Sequence, residues 1–199
     1  MCKGFKRIST NFVIKKKMNK FIPIYIYGSV TILLGILLVN AQQINFFSLQ
    51  LALGIGSCIG AVMAFVAALS RQEKPVQFAY HEMHAMTMMI FGILTLLFCN
   101  TPEKLINYIT FLLIFYAFSE IIFCNWLFNL KQKLLFKVAL IRVFLGLAIG
   151  IGTITGMNYS EISLEIFGVL FVLVGINILL YVPIMKGMPI HTGKKITTA

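Results

Sequence analysis

Two groups of residues in this chain carry side chains and spacings able to do chemistry. The first centres on Glu120, an acid inside a long apolar run. It lies about ten positions from the end of that run, roughly 15 Å deep by helical rise, in a hydrocarbon core about 30 Å thick. A charge there costs at least about 2.5–3.5 kcal/mol on the insertion scale, so the carboxyl must face the protein interior or carry a proton. Asn177, in the last apolar run, sits at similar depth and is placed to hydrogen-bond it. Arg142 is shallower, but its side chain is long enough to approach. Two roles fit these three residues: a proton or cation relay, or a bonded acid that fixes helix register.

The second group is Tyr80-His81-Glu82-Met83-His84. Histidines three apart share a helix face. Histidine titrates near neutrality, so His81, Glu82 and His84 form a candidate pH-sensing cluster. The plainer alternative is a polar group that snorkels at the membrane interface. Zinc proteases place their histidines four apart, and no third ligand is near, so no metal is expected. Cys2, Cys58, Cys99 and Cys124 show no ligand spacing, and the three inside apolar runs read as small apolar residues. No glycine-rich phosphate loop, nucleophile elbow or pair of catalytic carboxylates occurs. No catalytic residue and no cofactor is expected, and the chain is not read as an enzyme.

The elements that must position these groups follow from composition. The chain has 199 residues, is 59% hydrophobic and only 12% charged, and has a mean hydropathy of +0.92. Soluble domains average about 45–50% apolar and about 25% charged, so lipid is the expected solvent. Six runs are long enough to span: Phe21–Asn40, Phe46–Ser70, Ala79–Asn100, Leu105–Leu130, Leu134–Gly156 and Ser163–Met185. Lipid-exposed backbone must satisfy its own hydrogen bonds, which makes them helices. The short alternating segments of a β-barrel are absent. The expectation is an all-α membrane protein: a basic tail over 1–20, a six-helix membrane domain over 21–185 and a polar tail over 186–199.

A net charge of +11 suggests nucleic acid until its placement is considered. Sixteen of the 17 basic residues fall in segments on one side of the six spans, and Lys104 alone falls on the other. That is the positive-inside bias, which puts both termini in the cytoplasm. The expected partners are anionic lipids of the inner leaflet, not nucleic acid. The basic start and apolar first span also suit a cleaved signal, but cleavage would leave the second span without its partner.

The spans repeat. Glycine and small-residue anchors pair as Gly35 with Gly60, Gly92 with Ser119 and Gly150 with Gly175, at separations of 25, 27 and 25 residues. The first anchors recur at intervals of 57 and 58 residues. A fixed period marks one unit used repeatedly. Each unit holds two spans, so the chain enters every unit from the same side. This gives three parallel two-helix repeats over about 21–70, 79–130 and 134–185, unlike the inverted repeats of many transporters. Repeats one and three carry Ala61 and Ile176 where repeat two has Glu120, so there is no ring of acids. Gly56, Gly60, Ala64 and Ala68 form a stripe down the second span, and Gly146 and Gly150 begin another in the fifth. Small residues four apart let helix backbones approach, either within the chain or in a homo-oligomer; six helices to pack favour the first.

The segments Leu34-Gly35-Ile36-Leu37-Leu38, Phe91-Gly92-Ile93-Leu94 and Gly168–Ile176 carry a resemblance. The threefold hairpin resembles the HdeD-type family, small bacterial acid-resistance membrane proteins built from a short repeat. The likeness covers about Pro23–Met185. The family pattern often has a proline in the first hairpin break; here Pro102 stands in the second repeat, and the other two breaks lack one. The resemblance implies a multi-pass protein of the bacterial inner membrane with a role in acid or envelope stress. It carries over no catalytic residues.

Overall fold

A computed structural model describes residues 21–69, 80–129, 133–158 and 163–183. The two tails, the side chain of His81, and Arg71, Lys74 and Glu161 lie outside the described residues. Six α-helices follow in order: α1 Ile22–Val39, α2 Phe46–Leu69, α3 Tyr80–Phe98, α4 Pro102–Asn129, α5 Lys133–Asn158 and α6 Ser163–Leu179. The described residues contain no strand.

Local chemistry sets the breaks. Asn40 returns its side-chain amide to the Ile36 carbonyl at 2.8 Å and ends α1. A single 3-10 turn, Ala41–Gln43, follows. The Asn45 side chain then accepts the Phe47 N–H at 2.9 Å, satisfying a donor that the first turn of α2 leaves open. Pro102 opens α4, where its missing N–H costs nothing, and Thr101 Oγ1 accepts from Lys104 N at 3.4 Å. At the same end of the bundle, Gln42 donates to Glu165 Oε1 at 2.8 Å and ties the first turn to α6.

Each helix packs on its two neighbours in chain order, and α6 closes on α1. The result is a ring of six, with α4 also touching α6 across it. The closeness alternates: α1 with α6, α2 with α3 and α4 with α5 are the most extensive contacts, while α1 with α2, α3 with α4 and α5 with α6 touch less. Apolar side chains fill the centre, among them Leu34, Leu53, Phe91, Leu113, Ile149 and Phe171. The outer faces are equally apolar: Leu97 is 70% exposed and Phe144 is 65% exposed. Among the described residues, five helices are long and apolar enough to cross a membrane. The apolar part of α3, Glu82–Phe98, is shorter. A bundle that is apolar inside and out is that of an integral multi-pass membrane protein.

All seven glycines singled out from sequence face other helices of the same chain. A Cβ on Gly35 would stand 2.7 Å from the carbonyl oxygen of Gly168, and one on Gly175 would stand 2.8 Å from that of Gly28. Gly92 meets the Gly54 carbonyl in the same way, at 2.9 Å. Gly56 faces Leu34, Gly60 faces Met88 and Tyr27, and Gly146 faces Glu120. Gly150 is the loosest, with Ala117 Cβ at 3.6 Å. Their partners Gly28, Gly54 and Gly168 belong to no four-residue stripe, so spacing alone did not single them out.

Candidate functional site

The bundle interior holds charge. Glu120 on α4 and Arg142 on α5 are both fully buried and form a two-pronged pair. Arg142 Nε donates to Glu120 Oε1 at 2.6 Å, and Nη2 donates to Oε2 at 2.8 Å. Matched forks of this kind are the strongest hydrogen-bonded ion pairs. Gly146, one turn along α5 from Arg142, leaves room for the Glu120 side chain, whose Cγ lies 3.2 Å from where a Cβ would be. Arg142 Nη1 also donates to the backbone carbonyl of Asn177 on α6 at 2.9 Å. The guanidinium lies 5.2 Å from the ring centre of Phe123 and 5.8 Å from that of Tyr181, so aromatic faces supply part of its solvation. Cys124, one turn past Glu120, donates its thiol to Oε1 at 3.3 Å.

The structure therefore brings Glu120, Arg142 and Asn177 together but wires them differently from the sequence expectation. Asn177 does not bond the acid through its side chain. Its Nδ2 donates to Tyr116 Oη at 2.8 Å, and its buried Oδ1 has no partner. The carboxylate is taken by arginine because two charges in a dry interior pair more strongly than a charge and an amide.

Of the histidine cluster the structure places His84, while the side chain of His81 lies outside the described residues. His84 does not sit at the interface with Glu82; it is 3% exposed, inside the bundle. Glu82, two residues earlier, is half-buried. Ring nitrogen Nδ1 of His84 lies 3.1 Å from Tyr27 Oη on α1, and Nε2 lies 3.0 Å from Ser119 Oγ on α4. The Ser119 hydroxyl donates to the Tyr116 carbonyl at 2.8 Å. Its single proton is thereby used, so it accepts from His84 Nε2–H. The neutral ring then accepts the Tyr27 hydroxyl proton at Nδ1. The hydrogen bonds run one way, from α1 through α3 to α4. Tyr116 packs edge-on to His84 with ring centres 4.8 Å apart. A cavity of about 10 Å³, the scale of one water, lies beside them, lined in part by Tyr27, Thr31, Thr87 and Tyr116.

Five helices thus contribute polar groups to one layer: Tyr27 from α1, His84 from α3, Tyr116, Ser119 and Glu120 from α4, Arg142 from α5 and Asn177 from α6. Tyr27, near the start of α1, is 1% exposed. A signal for it was present. Tyr27, His84 and Arg142 recur at 57 and 58 residues, each eight residues before an anchor glycine at Gly35, Gly92 or Gly150. No group of histidine, cysteine or carboxylate side chains among the described residues is arranged to hold a metal ion.

Comparison with protein-family models, with curated proteins and with solved structures found no match.

Proposed function

We propose that this chain is a non-enzymatic protein of a bacterial inner membrane, with both termini cytoplasmic, whose Glu120–Arg142 centre works as an acid-labile latch in acid or envelope stress. The observation that carries this reading is the fully buried, two-pronged pair between α4 and α5. The stress role comes from the HdeD-type resemblance; the pair supplies a chemistry for it. Three parallel two-helix repeats are part of the proposal. The alternating closeness of the ring supports them, as does the burial of Tyr27, His84 and Arg142 at matching positions.

While both charges are present the centre is neutral and α4, α5 and α6 are held together. A proton on Glu120 cancels one charge and takes from the buried Arg142 the carboxylate that matches it. An uncompensated buried charge costs about 3–5 kcal/mol, enough to part helices whose net stability is of the same order. The groups facing this centre are Tyr27 on α1, His84 on α3, Arg142 on α5 and Asn177 on α6, with Cys124 on α4 itself. Arg142 lies within ion-pair distance of the carboxylate.

The test is acid survival of a deletion strain carrying the wild type, Glu120→Gln, or the double replacement Glu120→Leu with Arg142→Met, each checked for folding in detergent. Rescue by the wild type alone supports the latch. Equal rescue by all three makes the pair structural, and the absence of any deletion phenotype removes the stress role.

A second reading, a small proton-linked transporter or channel using Glu120, draws on the one-way chain Tyr27–His84–Ser119 beside the same centre. Proton flux into proteoliposomes is its test. Flux that survives Glu120→Gln would take Glu120 out of the path, and no flux across a broad substrate screen would end the idea.

A further inference from the structure

The buried polar side chains are spread unevenly about the Glu120–Arg142 centre. Thr31, Ser57, Thr95, Thr110 and Thr153 are each at least nine-tenths buried. All of them lie between the centre and the end of the bundle that carries the turns after α1 and α3. Toward the other end, no buried serine, threonine, amide or charged side chain follows the centre among the described residues. Phe123, Leu127, Tyr181 and Val182 fill that interior instead. The ring centres of Tyr181 and Trp126 lie 5.6 and 6.0 Å from that of Phe123 and close it. The hydroxyls also differ in how they are bonded. Thr31 and Thr153 return their protons to the carbonyl one turn back. Ser57 Oγ, Thr95 Oγ1 and Thr110 Oγ1 have no hydrogen-bond partner among the described residues. A buried hydroxyl left so is costly unless water reaches it.

One seam joins these hydroxyls to the carboxylate. Ala117 and Glu120 on α4 face Gly150 and Gly146 on α5. Thr110 stands two turns from Ala117 on the same face of α4, and Thr153 stands three residues from Gly150 on α5. Along their helices they are about 15 and 16 Å from Glu120 and Arg142. At the level between, a Cβ on Gly150 would meet nothing nearer than Ala117 Cβ at 3.6 Å, so the seam is loose there. The water-scale cavity beside His84 lies on the same side of the centre, with Thr31 and Thr87 in its lining. We propose that the proton that opens the latch reaches Glu120 from this end alone, passed between waters and hydroxyls along the α4–α5 seam. A hydroxyl both donates and accepts, so it hands a proton on without holding charge. The rings and aliphatic chains toward the other end do not. The inference rests on the latch reading of Glu120 and adds its sidedness. With the positive-inside topology, the latch answers to acid outside the membrane and not to the cytoplasm. The titratable and charged groups that face the carboxylate are Arg142 on α5, Cys124 on α4, His84 on α3 and Tyr27 on α1, with Tyr181 on α6 beside Arg142. On α2, Cys58 faces Gly92 instead.

The experiment is silver-ion blocking of single cysteines in sealed membrane vesicles of either orientation, read afterwards by maleimide labelling of the denatured chain. Silver ion is close to water in size and carries charge, so it follows wet paths from one face. The host chain carries Cys2→Ala, Cys58→Ala, Cys99→Ala and Cys124→Ser, and Gln42→Cys, exposed in the turn after α1, identifies the face. Thr110→Cys and Thr153→Cys should be blocked about tenfold or more faster from the Gln42 face than from the other, and faster at pH 5 than at pH 8. Leu127→Cys, beyond the centre, should resist blocking from both faces. Blocking of the two threonine variants at equal rates from both faces, faster from the face opposite Gln42, or from neither face overturns the proposal. Ready blocking of Leu127→Cys from the face opposite Gln42 does the same. Thermal unfolding in detergent checks every variant, and Thr153→Cys decides alone if Thr110→Cys does not fold. The latch is read separately: adding Glu120→Gln should abolish the pH dependence and leave the sidedness. Sidedness without pH dependence in the host chain would end the latch while the path from the Gln42 face stands.

Discussion

Between α1 and α6 the closest contacts are backbone to backbone, at Gly28 against Gly175 and Gly35 against Gly168. Between α4 and α5 the corresponding space is occupied by the paired side chains of Glu120 and Arg142. Both seams join helices that lie side by side with apolar outer faces, so the hydrophobic effect distinguishes neither from lipid. The glycine seam is held by shape: removing side chains lets main-chain atoms meet and gain dispersion and weak hydrogen bonds. The charged seam is held by mutual need, because each partner is costly without the other. Shape is independent of pH and intolerant of added volume. Charge tolerates volume nearby and fails when one partner is neutralised. One ring therefore contains permanent seams and one conditional seam.

The sharpest way to break that contrast is to remove one charge. Arg142→Met leaves Glu120 buried and unpaired, and should destabilise the bundle by about 3–5 kcal/mol. The double replacement Glu120→Leu with Arg142→Met should recover most of that loss, since apolar residues of similar volume often replace a buried pair at no net cost. Thermal unfolding in detergent measures both. A double variant as unstable as the single would mean that the pair supplies something beyond mutual compensation, and the idea of a seam held by need would fail.

Next in size is the opposite seam. Gly35→Ala would set a Cβ 2.7 Å from both Gly168 O and Val172 N. Main-chain atoms cannot swing aside as a side-chain tip can, so α1 and α6 must part. Overpacking of this kind costs about 1–3 kcal/mol. The loss should be the same at pH 5 and pH 8, which is the property that separates the two seams. A pH-dependent loss at Gly35 would dissolve the distinction.

How far these seams are legible in sequence differs, for physical reasons. The helices were readable because lipid forces backbone bonding within each span, and composition alone then implies the spans. Glu120 was readable because an acid at that depth needs a reason. Its partner was less so: depth favoured Asn177, but a long side chain such as that of Arg142 reaches along its own helix, and rise per residue does not record that reach. His84 stands near the start of a span, which suggests water nearby, but it lies on the face of α3 that packs inward against Tyr27 and Ser119. Gly28 and Gly54 were missed, and Gly168 was noted only for its resemblance, because a close approach is a property of two helices, and a stripe on one of them says nothing about what its partner presents.

The Tyr27–His84 bond allows a smaller test in the same terms. Tyr27→Phe keeps the ring and removes only the donor to His84 Nδ1. A buried acceptor left unmatched costs about 1–3 kcal/mol. The cavity beside it is the scale of one water, and a water admitted there would return part of the loss. The expected net is therefore near the lower bound, about 1 kcal/mol, read by the same unfolding assay. A loss as large as that of Arg142→Met would move His84 into the conditional seam.

The smallest effect is expected where the two seams differ most plainly in tightness. Gly150→Ala, on α5, meets nothing closer than Ala117 Cβ at 3.6 Å, which is ordinary contact. Alanine in a helix interior is favoured over glycine by up to about 1 kcal/mol, so the variant should be neutral or slightly more stable than the wild type. Gly35 and Gly150 are counterparts in the repeat, and the same substitution is expected to change sign between them. The reason is that Arg142 and Glu120 already hold α4 and α5 at a separation set by side chains, whereas nothing but missing side chains sets the distance between α1 and α6. If Gly150→Ala proves as damaging as Gly35→Ala, the charged seam is also packed to the backbone, and the pair cannot be what sets its spacing.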